Sequence, residues 1–165
     1  MLEPHPASGS RRRLKGWFAA GTAVILLAVA IIFWRLSASD SVFGRQPALL
    51  AQGARIYAER CSLCHGARLQ GQPDWKTPGA NGRMPAPPLN SDGHAWHHDS
   101  ATLIGIVEHG LVPPWAPTDY RSDMPAFRGR LSDQNIRAVL SFIAASWSKE
   151  ASAWQSEVEA QNDLR

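Results

Sequence analysis

The chain has 165 residues, 17 Lys+Arg against 14 Asp+Glu, two cysteines and a pI near 9.2. That is room for one domain of about 100 residues plus an extra segment, and two cysteines are too few for a four-thiolate zinc or iron–sulfur site. The basic balance is local: residues 1–36 hold five basic and one acidic residue, leaving 12 basic and 13 acidic over 37–165 and a net charge of −1 there, so nucleic acid is not a supported partner.

Residues 1–15 are polar, with Pro4, Pro6, Ser8 and Gly9, and read as a disordered cytoplasmic tail. Residues 16–35 read as a transmembrane anchor, because Gly16–Trp34 is a run of 19 residues without a charge. At about 1.5 Å per residue such a helix covers a bilayer core. Arg11, Arg12, Arg13 and Lys15 precede the run and Arg35 alone follows it closely. The positive-inside bias therefore puts the N-terminus in the cytoplasm and the rest of the chain across a bacterial inner membrane, on its periplasmic side. Trp17 and Trp34 stand at the two ends, where amphipathic rings suit the headgroup layer. A cleaved signal peptide has a shorter apolar stretch, about 7–15 residues, and a small-residue cleavage site. The sequence here ends Phe33-Trp34-Arg35, so an uncleaved single-pass anchor is the better reading. Ser10-Arg11-Arg12-Arg13-Leu14 also hints at a twin-arginine signal, but the cluster is already explained as a topology signal. Residues 36–46 read as a linker.

A domain is expected over 47–148. Pro47 suits a first helical turn, and Leu49, Gly53, Ile56, Tyr57 and Arg60 recur at helical spacing up to the first cysteine. Residues 66–100 carry five glycines and five prolines and read as irregular. Ala101–His109 reads as a short helix capped by Asp99 or Ser100 and closed by Gly110. Residues 111–131 return to loop, and a last helix starts after the N-cap Ser132, with Ile136, Val139, Leu140 and Ile143 as its apolar stripe. The polar segment 149–165 reads as a solvated extension; a docking helix using Trp154, Val158 and Leu164 is the alternative. This is an all-α domain of three or more helices, with an aliphatic core thin for its loop content, as expected where a large apolar cofactor fills the centre.

The chemistry lies in Cys61-Ser62-Leu63-Cys64-His65. Residues i and i+3 of a helix share a face, so two thiols so placed can form thioethers to two haem vinyl groups while His65 reaches the iron. C-x-x-C-H is the haem c attachment pattern. A thioredoxin-like pair expects strand–helix alternation, absent here, and a zinc knuckle needs a second pair of ligands. A structural disulfide is the third alternative. A second axial ligand can come from Met84, Met124, His94, His97, His98 or His109. Met124, in Ser122-Asp123-Met124-Pro125-Ala126-Phe127 just before the last helix, is preferred, and Met84 reads as packing.

These motifs give the chain from about Ala48 to Trp147 its resemblance to the class I c-type cytochromes, membrane-anchored bacterial type. They are Gly53-x-x-x-Tyr57-x-x-x-Cys61-x-x-Cys64-His65-Gly66, then Met124-Pro125-Ala126-Phe127, 59 residues after His65, and then Leu131-Ser132-Asp133 with Ala138-Val139-Leu140-Ser141-Phe142-Ile143. The resemblance implies one covalent haem c on Cys61 and Cys64, with His65 and Met124 as axial ligands. It also implies that Gly53 and Tyr57 pack the first helix against Val139 and Phe142 of the last. A carbonyl from Pro87 or Pro88, before Leu89, would sit on His65 and fix its ring.

His94, His97 and His98 suggest a second metal site or, preferred here, a polar loop that caps backbone groups or approaches a haem propionate; adjacent His97 and His98 cannot easily share one ion. Trp96 and Trp115 are candidate haem walls. The function expected is that of an electron carrier rather than an enzyme. It would have no small-molecule substrate and would move one electron between redox proteins such as a membrane dehydrogenase and a terminal oxidase. Two rivals stand beside it: a haem enzyme or gas sensor with an open sixth position, and a haem subunit held in a larger oxidoreductase.

Overall fold

The structure, a computed structural model, describes residues 26–32 and 43–162. The tail 1–15, most of the anchor, residues 36–42 of the linker and 163–165 lie outside the described residues. The chain divides into two compact units, 1–40 and 41–165. In the first, residues 26–32 are helical, and Leu26, Leu27, Val29, Ile31 and Ile32 are exposed. No helix among the described residues is long and apolar enough to cross a membrane.

The second unit is helical. Its elements are α1 (Pro47–Arg60), α2 (Ser62–His65), a 3-10 turn (Ala95–His97), α3 (Ser100–His109), α4 (Asp133–Ala144) and α5 (Lys149–Asn162). Among the described residues the only strand-like pairings are two isolated bridges, Met84 with Ser122 and Arg128 with Leu131.

The principal helix pair is α1 against α4, and a small residue makes it possible. A Cβ at Gly53 would overlap the Ala138 carbonyl and the Phe142 Cβ, so the two backbones approach as only glycine allows. One turn on, the Tyr57 ring packs on Phe142 with centroids 5.4 Å apart. At the other end Gln52 Nε2 donates to Asn135 Oδ1 at 2.7 Å. The core adds Ile136, Val139, Leu140 and Ile143 from the apolar stripe of α4 and Leu103 from α3. Phe43, from the expected linker, is buried with them, its ring edge-on to Trp147 at 6.4 Å.

The caps follow local chemistry. Ser132 Oγ accepts from Asn135 N at the start of α4. At α3, Asp99 accepts from both the backbone N and the hydroxyl of Thr102, at 2.8 and 2.7 Å, and Gly110 ends the helix at φ 77°. Replacing Asp99 by Ala removes both bonds and is expected to cost about 1 kcal/mol. Thermal unfolding should show this as a midpoint lower by about 4–8 °C.

The C-terminal segment differs from the solvated extension expected. It neither frays nor prolongs α4, because the chain turns at 145–148 and α5 returns over the domain. Ser148 Oγ accepts from Ala151 N and caps the new helix, while its own N–H donates to Ser91 Oγ at 2.7 Å. Ala151 is buried, Trp154 meets Trp96, and Glu159 Oε2 accepts from Ser100 N at 2.8 Å. A carboxylate there meets the free N–H groups and positive dipole end of α3.

Candidate functional site

The unit encloses a cavity of about 740 Å³. Helices α3 and α4 supply apolar walls through Leu103, Val107, Val139, Leu140 and Ile143, and irregular segments close the rest. Cys61 and Cys64, at the end of α1 and in α2, line it together with His65. The two cysteines are not joined to each other. Burial first, then the neighbouring Cys64, pushes the Cys61 thiol up to about 11. A thiol so held is protonated at neutral pH in the absence of a bound group.

The segment around His65 is fixed from three directions. The Tyr57 hydroxyl donates to Gly66 O at 2.6 Å, anchoring the end of α2 to α1. The His65 carbonyl accepts from Gly71 N at 2.8 Å. The His65 ring places Nδ1 2.9 Å from Pro87 O. A carbonyl only accepts, so Nδ1 carries the proton and Nε2 keeps its lone pair. Burial lowers the His65 pKa, and the Pro87 bond only partly offsets this, so the ring is neutral at physiological pH, the form that ligates a metal. Of the two candidate prolines Pro87 makes this bond. Pro88 also lines the cavity and is buried, and Gly71 and Gly93 pack close to its backbone. The loop itself is closed by Gln72, which bonds Ala86 through its N–H and its side-chain oxygen, each at 2.9 Å. Trp147 Nε1 donates to Leu89 O at 3.0 Å and ties the loop to the end of α4.

Met124 lines the same cavity, in the segment between α3 and α4. Its backbone N–H donates to Ser122 Oγ at 3.1 Å. Met84 lines the cavity as well. Its N–H donates to Arg121 O at 2.8 Å, Arg83 Nη1 donates to Ser122 O at 2.6 Å, and the same guanidinium pairs with Asp123 at 3.1 Å. The two methionine loops are thus stitched side by side, a pairing that sequence reasoning missed because nothing local signals an isolated bridge.

The two tryptophan candidates part company. Trp115 lines the cavity, lies over Gly105 and stacks on His109 at 6.1 Å. Trp96 is not on the wall; it stacks on His97 at 3.7 Å and meets Trp154. His94 and His98 do line the cavity, with His94 stacked on Trp75 at 5.6 Å. Burial and neighbouring positive groups lower the pKa of His94; burial lowers that of His98 despite Asp99. No group of three or more His, Cys, Asp or Glu side chains that could hold a metal ion occurs among the described residues.

The donor set fits a haem c: a wide apolar cavity, two thiols beside one imidazole held with Nε2 free, and two methionines among the lining residues.

Comparison with known proteins points the same way. The family model described as cytochrome C oxidase, cbb3-type, subunit III, matches residues 48–143. The chain is similar to an alcohol dehydrogenase (quinone) cytochrome c subunit of Gluconacetobacter polyoxogenes, 33% identical over 60% of this chain and 19% of the relative. It is also similar to a gluconate 2-dehydrogenase cytochrome c subunit of Pantoea cypripedii, 36% identical over 61% of this chain and 21% of the relative. A third relative is a cbb3-type cytochrome c oxidase subunit FixP of a Bradyrhizobium species, 31% identical over 56% of this chain and 26% of the relative. The chain therefore spans about a fifth to a quarter of the length of these curated relatives. No solved structure matches.

Proposed function

We propose a one-electron carrier on the premise of family: the chain belongs to the cytochrome c oxidase, cbb3-type, subunit III, family and is a c-type cytochrome. One observation carries the reading. His65 is held by Pro87 beside Cys61 and Cys64 on a cavity that Met124 also lines.

In this reading Cys61 and Cys64 bind one haem c covalently, and His65 and Met124 supply the two axial ligands. When bound, the haem supplies an Fe(II)/Fe(III) couple. The chain's own contribution is to keep that couple low in reorganisation. Pro87 fixes the imidazole ring, the bridge at Met84–Ser122 fixes the segment carrying Met124, and the apolar faces of α3 and α4 exclude water. Were His65 and Met124 both to hold the haem iron, no position would be left for a substrate, and the protein would act as a carrier. Residues 16–35 anchor the chain, with the N-terminus cytoplasmic and the haem domain on the periplasmic face; the apolar run and its basic N-terminal flank support this reading. The partners are redox proteins of the membrane, a dehydrogenase on one side and a terminal oxidase on the other.

Visible and near-infrared spectra of the detergent-purified protein test the reading. A c-type reduced α-band together with the weak charge-transfer band of a Met–Fe bond in the oxidised form is the expected result. A c-type α-band without that charge-transfer band, and ready carbon monoxide binding on reduction, overturns the filled sixth position.

A second reading is that the domain works as a fixed subunit. It is favoured by the relatives named as subunits, in which the matched region is a minor part of the chain. Co-purification of a dehydrogenase or oxidase after mild detergent extraction would favour it over free diffusion.

A further inference from the structure

We propose that Met84 is a second thioether ligand for the haem iron, able to take the sixth position when Met124 does not hold it. This rests on the reading of His65 and Met124 as the axial pair.

Three observations place Met84 for the role. It lines the same cavity as Met124 and His65. Its backbone is bridged to Ser122, two residues from Met124, through Met84 N to Arg121 O at 2.8 Å. The register is locked from the preceding residue, because the Arg83 guanidinium holds both Ser122 O and the Asp123 carboxylate. The Met84 and Met124 segments are therefore joined at the backbone, and both residues line one cavity.

The chemistry is permissive. Methionine has three rotatable side-chain bonds and a polarizable sulfur, so it reaches across gaps that a branched residue cannot. Both candidate donors are neutral thioethers. An exchange breaks one Fe–S bond and forms another, and no electron or proton changes hands. The other donors that line the cavity are engaged elsewhere or protonated. His94 is stacked on Trp75 and abuts His98. Their neighbouring 3-10 turn packs against α5. Tyr120 would first have to lose its proton, which burial opposes.

The experiment compares four full-length, haem-loaded proteins: unaltered, Met84→Leu, Met124→Leu and the double variant. Three readouts apply: the Met–Fe charge-transfer band when oxidised, carbon monoxide binding when reduced, and the shifted methyl resonance of an iron-bound methionine labelled with ¹³C. Covalent haem content by pyridine haemochrome checks that each variant is intact. The unaltered protein and Met84→Leu are expected to show the same band. Met124→Leu is expected to retain a Met–Fe band at a shifted wavelength and to resist carbon monoxide. The double variant should lose the band and bind the gas. Should Met124→Leu fail to accumulate, Met124→Ala gives the same comparison without added bulk.

Loss of the band in Met124→Leu, with gas binding equal to that of the double variant, overturns the proposal and leaves Met124 as the ligand. A bis-histidine spectrum in Met124→Leu also overturns it, assigning the reserve role to the His94 loop. Loss of the band in Met84→Leu alone overturns the Met124 reading itself.

Discussion

Replacing both Cys61 and Cys64 by Ser is expected to yield a chain with no covalent haem and no fixed tertiary packing. The two thiols stand at the junction of α1 and α2 and are the residues of the cavity wall able to form thioethers to vinyl groups. Without the group, a space of about 740 Å³ remains between α3, α4 and the loops. Apolar walls left without a packing partner lose their contacts outright, and the space is open enough for water to enter it. A domain's whole stability is about 5–15 kcal/mol. Even with water entering through the mouth, Leu103, Val139, Leu140 and Ile143 would lose the surface they pack against. Near-UV circular dichroism and pyridine haemochrome together check this: aromatic signals collapse and covalent haem is absent. A single substitution, leaving one thioether, should give a lower yield of correctly folded protein.

Gly53→Val is expected to be the most damaging single change away from the haem ligands. The space for any Cβ at this position is already taken by the Ala138 carbonyl and the Phe142 Cβ. The obstruction includes backbone, which cannot rotate aside as a side-chain tip can. Helices α1 and α4 must therefore separate, and Tyr57 loses part of its contact with Phe142. Overpacking of this kind costs about 1–3 kcal/mol, and a β-branched residue against backbone belongs at or above the upper end. Thermal or denaturant unfolding of the haem-loaded protein should show a midpoint lower by about 10–20 °C. Gly53→Ala should lie between the two, since it adds the same first carbon and no branch.

Those effects follow from a helix pairing that the family resemblance implied, with Ala138 and Phe142 as the residues that meet Gly53. Gly53 and Tyr57 share one face of α1, Val139 and Phe142 lie in α4, and the caps Asp99, Ser132 and Gly110 mark helix ends by ordinary hydrogen-bond chemistry. C-x-x-C-H marked the site residues, and the structure brings Cys61, Cys64 and His65 to one cavity. Long-range pairings between irregular segments were not legible. The stitching of Met84 to Ser122 depends on two loops meeting after the helices have packed, and Arg83 with Asp123 looks from sequence like any surface pair. Helix α5 was hidden for a related reason. Its composition is polar, and its docking relies on single points, Ala151, Trp154 and Glu159, rather than on an apolar stripe. Trp115 and Trp96 looked equivalent in sequence because both lie near helix ends, and only the close approach at Gly105 separates them.

The contact between Gln52 and Asn135 joins residues 83 positions apart. It has a consequence for the order of events during maturation. Closing so long a loop is entropically costly and slow compared with forming a helix. During synthesis α1 and the two thiols emerge from the ribosome well before α4 exists as a partner. The reactive residues are therefore made early, and the helix that pairs with α1 and walls their cavity is among the last parts of the chain to be made.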